Sequence, residues 1–492
     1  MPRFSRMLMR DSITLQGKVL WANLTHKVRW YNSRMRNPFS WIGFRPLLRR
    51  FGTTVLKCST YLPPGLKHRL KHSRLARQAH HWLASGPVSP DRQVPTPLCV
   101  LPWIHAHVAT TGDVHLCCIA LGQDAPLGNV HEQSLSEIFA TGPFSKVRQQ
   151  MLQGKWPWEC QGCKDRELLG LTSYRHFSNG KYPSYFGLLT SDPGALTPAI
   201  RSIDLRPNNI CNFKCRSCGV TASNRWFSDH NLIHPEAKVL HGYQGFDKSP
   251  AFWTEFDQKI LPSLEELDLA GGEPLLSQSH YLLLERLIAL RKQDIKLQVV
   301  TNLSQLRFMH WDAVELWKQF PRLDLTLSLD GVGAQGEYIR KGMSYANWVE
   351  NALRLKRELP HAKRNLHFVV SIFNVTDLRE HYEAILRGEF VDPVFITFTF
   401  LTKPAYMSVQ VLTPELKSMV ERDIRVWLSE ARQMPAAVRE QLEALIEFMK
   451  ETDGFTLHGR EYASKTRLLD QARGEDALAL FPKLQSMQFQ KL

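Results

Sequence analysis

From residue 201 onward, short β-rich runs alternate with stretches whose apolar positions recur at three- and four-residue spacing. The runs predict strands over 202–206, 266–269, 296–300, 324–328, 366–372 and 395–400. The intervening stretches at 281–291, 345–357 and 378–386 predict helices that lay one apolar face on a sheet. Strand and helix in this repeated order imply a parallel sheet with right-handed crossovers, and six units suit a partial barrel. Functional groups then belong on the loops that follow the strands.

The flanking segments read differently. From residue 99 to about 190 the chain is loop-rich, with turn signals at Thr111-Gly-Asp113 and Leu127-Gly-Asn129 and one helical stretch over 134–152. That regularity is low for a self-sufficient core, and a bound metal centre would contribute directly to folding. A Pro-rich run over 85–97 marks a boundary. Residues 414–451 read as two helices with no identifiable chemistry. The expected division is a basic, partly helical or disordered arm over 1–92, a small cysteine-rich domain over 93–195, an α/β core over 196–412 and a helical segment over 413–492.

Charge changes the picture at one end. Residues 1–92 carry 18 Lys or Arg against two acids, whereas the rest of the chain is nearly balanced with 44 bases and 45 acids. Such an arm is either a solvated segment or a contact for nucleic acid, anionic lipid or an acidic partner. The chain shows no apolar run of the roughly 18 residues that span a bilayer and no apolar signal core, so a cytoplasmic protein without a membrane span is expected.

Nine cysteines are present, and eight are grouped: Cys99, Cys117 with Cys118, Cys160 with Cys163, and Cys211, Cys215, Cys218; Cys58 stands alone. Grouping without an export signal favours metal ligation over disulfides. The last group forms Cys-x3-Cys-x2-Cys just after the first predicted core strand. Three thiolates on one short loop can bind three irons of a cubane cluster and leave the fourth open. A zinc site with a distant fourth ligand and an electron-transfer cluster are the alternatives, and the upstream cysteines can likewise form a four-thiolate zinc site.

In that position the motif resembles the radical S-adenosylmethionine (SAM) superfamily, over about residues 200–400. Ala270-Gly-Gly-Glu-Pro274 resembles its Gly-Gly-Glu motif, Thr301-Asn302 ends the third strand and Ser328-Leu-Asp330 the fourth. The resemblance implies a partial (β/α)6 barrel with a catalytic [4Fe-4S] cluster on Cys211, Cys215 and Cys218. It further implies that Gly271 and Gly272 admit the methionyl part of SAM, with Glu273 on its ammonium. Asn302 would line the site, Ser328 would contact ribose or carboxylate, Arg340 would pair with the methionyl carboxylate, and Ile372 and Phe373 would pack on adenine. Many family members carry an aromatic residue just before the third cysteine; here it is Ser217, with Phe213 on the same loop.

Cys99, Gly112, Cys117, Cys160 and Cys163 are spaced as in the twitch domain, a shortened SPASM auxiliary-cluster domain, placed here upstream of the core. This implies an auxiliary [4Fe-4S] cluster on Cys99, Cys117, Cys160 and Cys163, with Cys118 as neighbour or substitute. Leu168 and Leu169 stand where a full SPASM domain continues its cysteines. The implied activity is reductive cleavage of SAM to a 5'-deoxyadenosyl radical that takes hydrogen from substrate, in an oxidation or a peptide or small-molecule modification. Expected partners are a peptide, sugar or other anionic substrate and a reductant such as flavodoxin or ferredoxin. The alternative is a non-enzymatic zinc- or cluster-containing protein that grips nucleic acid through its basic arm.

Overall fold

A computed structural model describes residues 96–120, 126–168, 172–192, 194–239 and 244–487. The chain divides into two compact units, and the larger, residues 96–163 and 172–492, contains everything that follows. Of the smaller unit, 1–95 and 164–171, only 164–168 are described, as the end of helix Gln161–Leu168. The basic arm and Cys58 lie outside the described residues.

One sheet organises the larger unit. Its strands are β1 (His105–Val108), β2 (Asp113–His115), β3 (Gly128–Asn129), β4 (Ser202–Leu205), β5 (Glu266–Leu269), β6 (Lys296–Thr301), β7 (Leu323–Ser328), β8 (Lys363–Val370) and β9 (Ile396–Phe400). Strands β4 to β9 pair in parallel in chain order, which is the expected six-strand arrangement. β1 adds a further parallel strand beside β4, with His105 opposite Ser202 and Val108 opposite Leu205. β2 and β3 then run antiparallel outward, so the cysteine-rich segment continues the core sheet.

Alternation along each strand separates two environments. Ile203, Leu205, Leu267, Leu269, Leu297, Val299, Leu325, Leu327, Leu366 and Phe368 are buried against the covering helices. The alternate positions are polar, and register aligns them across the sheet: His107 faces Asp204, Asp204 faces Asp268, Asp268 faces Gln298 and Gln298 faces Asp324. One face is therefore core, and the other is a polar floor.

The helices Tyr345–Glu358 and Leu378–Gly388 fall where the apolar spacing puts them, and Gln278–Ala289 begins three residues earlier. The stretch 134–152 is two helices, Leu135–Ala140 and Gly142–Leu152. Pro143 cannot continue the first helix, and Thr141 ends it in extended conformation, its amide and hydroxyl both donating to the Glu137 carbonyl. Pro414–Glu430 and Ala436–Lys450 are the expected C-terminal pair, followed by a third helix, Gly454–Arg473. Among the described residues no helix is long and apolar enough to cross a membrane.

Candidate active site and iron-sulfur centres

The loops after β5, β6 and β7 meet the three-cysteine loop, residues 206–223, which follows β4. This loop has no regular secondary structure, so side chains fasten it. Asn209 Nδ2 donates to the Val220 carbonyl (2.7 Å), Ser223 Oγ to the Phe213 carbonyl (2.6 Å) and the Trp226 indole N–H to the Cys215 carbonyl (2.8 Å). The Phe213 amide lies 3.4 Å from Cys211 Sγ, a donor placed to favour a thiolate. Phe213 itself is buried beneath the loop.

The glycines of the Gly-Gly-Glu loop are needed for close approach. Gly271 and Gly272 have φ of +84° and +52°, and a Cβ on Gly272 would overlap the Ile210 carbonyl oxygen. The Glu273 amide then donates to that same carbonyl at 2.7 Å. The Glu273 carboxylate is 1% exposed and turned inward, accepting from the Asn302 amide (2.6 Å), the Thr301 hydroxyl (2.7 Å) and the Leu275 amide (3.1 Å). Burial pushes its pKa up to about 7 against these three donors. In this geometry Glu273 ties the loop after β5 to the end of β6. Asn302 in turn points its Nδ2 at Asn212 Oδ1 (3.0 Å) and toward Cys211 Sγ (3.8 Å).

From the opposite side, the amides of Lys214 and Arg216 donate to the carbonyls of Lys341 and Ile339, which brings Arg340 against the three-cysteine loop. Arg340 Nη1 donates to Asp330 Oδ2 (2.7 Å), while its buried Nε has no hydrogen-bond partner among the described residues. Burial opposes the guanidinium charge, but Cys215, Asp330 and Cys218 hold its pKa above the ordinary value. The hydrogen bond between the two sulfurs, helped by Arg340, holds the Cys215 thiol down against burial; the same bond and burial push Cys218 up despite Arg340. Burial raises Cys211 to about 12.

Ser328 ends β7, half-buried beside His367 of β8. Ile372 is fully buried with its amide on the Met407 carbonyl, and Phe373 sits among Tyr338, Tyr462 and Phe481. Cys211, Cys215, Cys218, Gly271, Gly272, Glu273, Asn302 and Arg340 are thus brought together, and Phe373 joins them at the edge, its ring centre 5.6 Å from the Arg216 guanidinium of the same loop.

The upstream cysteines converge through the β1–β2 hairpin. Gly112, at φ +82°, turns the hairpin, and Asn129 Nδ2 clamps it by donating to Thr111 O (3.2 Å) and Asp113 Oδ1 (2.8 Å). Cys99 precedes the helix Leu101–Ile104 that enters β1, and Cys117 follows β2. With Cys160 and Cys163 they line one apolar cavity of about 20 Å³, counted as space open to the centre of a water. Burial and the neighbouring sulfurs push Cys117 and Cys160 well above the ordinary thiol range, so a metal must displace protons there. Cys118 does not line this cavity; burial and Asp204 push it up to about 11, opposed by Arg206 and a hydrogen bond with Tyr174. It faces the polar floor of the sheet.

That floor is a continuous polar surface that motif reading did not find. Asp204 is held well below the carboxylate range by Arg206 and His107 despite its burial; Asp268 is raised by burial beside Glu266 and Asp204. Glu266 is taken up by Lys181, Tyr182 and Gln298, and Lys296 lies 3.1 Å from Asp324. Polar alternates in β-rich runs were the available signal.

Residues 99–164 match the SPASM family, described as an iron-sulfur cluster-binding domain. The match spans the four cysteines that line the cavity. No curated protein matches the chain. Among solved structures, native anSMEcpe with bound AdoMet is similar at 19% identity and a TM-score of 0.34, covering 46% of this chain and 60% of that one. SuiB of Streptococcus suis bound to the precursor peptide SuiA is similar at 13% identity and a TM-score of 0.32, covering 58% and 59%. The chain thus spans about 60% of the length of these two proteins.

Proposed function

We propose that the chain is a radical SAM enzyme whose catalytic [4Fe-4S] cluster is held by Cys211, Cys215 and Cys218, with an auxiliary cluster on Cys99, Cys117, Cys160 and Cys163. The observation that carries the reading is the convergence on the cysteine loop of three further strand-end loops, with a buried guanidinium whose Nε lacks a partner among the described residues. The residues fit the groups: three thiols on one loop leave one iron open, and four thiols surround an otherwise apolar cavity. When bound, the reduced cluster supplies the electron that splits SAM into methionine and a 5'-deoxyadenosyl radical able to take hydrogen from substrate.

The chain's own residues orient and enclose. Arg340, anchored by Asp330, presents a fixed cation suited to a carboxylate. Gly271 and Gly272 let backbone approach where a side chain would obstruct, and Glu273 keeps that loop in place from beneath. Substrate enters over the polar floor, where Asp204, Asp268, Gln298 and His367 select a polar partner such as a peptide; the reaction is an oxidation or a peptide or small-molecule modification. Reduced, reconstituted protein should convert SAM to 5'-deoxyadenosine under anaerobic conditions, and Cys215→Ala should abolish this. No product from iron-replete wild type, together with no SAM binding, would refute the proposal.

A further inference from the structure

Within the cluster loop, Arg216 follows Cys215, and its side chain is 1% exposed. A buried charge is held when it is paired, and these partners come from the far end of the chain. Its Nη2 donates to Asp470 and, at 2.6 Å, to Glu475 Oε2, and the guanidinium lies 3.8 Å from the centre of the Tyr338 ring.

Asp470 occupies the last turn of helix Gly454–Arg473, and Gly474 caps it in the left-handed conformation at φ +64°. The chain thereby turns so that Glu475 faces back toward Arg216 and Lys341 Nζ (2.9 Å). The Tyr338 hydroxyl also donates to Asp470 (2.8 Å). A second chain of charges runs alongside: Lys214 pairs with Asp229 at 3.0 Å and Asp229 with Arg473 at 2.7 Å. Arg473 lies 5.1 Å from the ring centre of Trp226, whose N–H holds the Cys215 carbonyl.

We propose that Arg216 is a positioning residue: its pairing with Asp470 and Glu475 docks helix Gly454–Arg473 behind the cluster loop and holds the three thiols in register for a cluster. This rests on the proposed function. The physical need is plain, since a loop without regular structure loses conformational entropy when ordered, and fixed contacts must offset that cost. Ion pairs to a helix on one side and backbone bonds to residues 339–341 on the other supply them.

The test uses the full chain, reconstituted anaerobically with Cys160→Ala and Cys163→Ala so that iron reports the loop cluster alone. The rate of iron loss to a ferrous chelator is read, with the electron paramagnetic resonance spectrum of the reduced cluster before and after adding SAM. D470N/E475Q should lose iron at least tenfold faster than the parent and show a weakened spectral response to SAM, with R216K intermediate. Loss within twofold of the parent and an unchanged spectrum would overturn the proposal. Hydrogen exchange at the Lys214 and Arg216 amides of the cluster-free chain reads the docking without metal. Exchange should accelerate at least tenfold in D470N/E475Q and measurably in the milder E475Q; unchanged exchange in both sinks the proposal. If the unsubstituted chain takes up no iron while exchange responds as expected, the functional reading has failed and the docking contact stands.

Discussion

Gly272→Ala tests how the two central loops meet. At φ +52° an alanine would adopt a left-handed conformation costing roughly 1–2 kcal/mol. Its Cβ would also overlap the Ile210 carbonyl oxygen and lie 2.7 Å from the Asn209 carbonyl carbon, both backbone atoms that no rotamer change can move. Relief requires shifting the cluster loop, at a further cost of about 1–3 kcal/mol by analogy with overpacked cores. Gly154→Ala is the control, because Gly154 has φ +71° but nothing within 4 Å of its added Cβ, leaving the conformational cost alone. The assay is hydrogen exchange at the Glu273 and Asn302 amides, which bond across this junction to Ile210 and Glu273. Gly272→Ala should speed exchange there by at least tenfold, since about 1.4 kcal/mol corresponds to a factor of ten, and should lower iron retention by the loop. Gly154→Ala should leave both unchanged. Equal effects of the two substitutions at these amides would refute the argument from close approach.

Arg148→Met should cost about 2–4 kcal/mol in thermal unfolding. It strips buried carbonyls of Pro102 and Phe139 of their 2.7 Å donors and removes the cation stacked on Phe139. Stability of the cluster-free chain should fall on acidification through His280, which is buried without a hydrogen-bond partner among the described residues and whose pKa is lowered to about 3 by burial. Its stability is intact above the unfolded value of 6.5 and is progressively lost as pH falls toward 3, because the unfolded chain takes up the proton first. His280→Leu should flatten that slope in urea titrations at pH 7 and pH 5; an unchanged slope would count against the assignment. Cys160→Ala together with Cys163→Ala should lower bound iron and sulfide by one cluster's worth, read by iron and acid-labile sulfide analysis, while SAM-dependent spectral changes at the loop cluster persist.

Much of the core was legible because each strand carries its own apolar side. The runs at 202–206, 266–269 and 324–328 correspond to β4, β5 and β7 within a residue at either end. β8 begins three residues before the expected 366, since Lys363, Arg364 and Asn365 lack an apolar signal; their pairing with β7 makes them strand. The third C-terminal helix falls within the expected helical segment, but its limits do not show in the apolar spacing because its buried side includes Thr466 and Arg473. Its chemistry was equally hidden: Asp470, Arg473 and Glu475 acquire a role only beside Lys214, Arg216 and Asp229, more than 200 positions away in the chain. Cys118 differs from its neighbour Cys117 for a similar reason, as one sulfur lines the cysteine cavity and the next faces the sheet.

The amino-acid sequence by itself determined the strand and helix order, the three-cysteine loop after a strand and the grouping of the upstream cysteines, because periodicity and ligand spacing are local properties. Only tertiary structure decided which way Glu273 turns, that β1 extends the core sheet, and that Arg216 of the three-cysteine loop pairs with Asp470 and Glu475. Those outcomes depend on which buried charges and backbone donors find partners across long separations, and a linear pattern does not record that pairing.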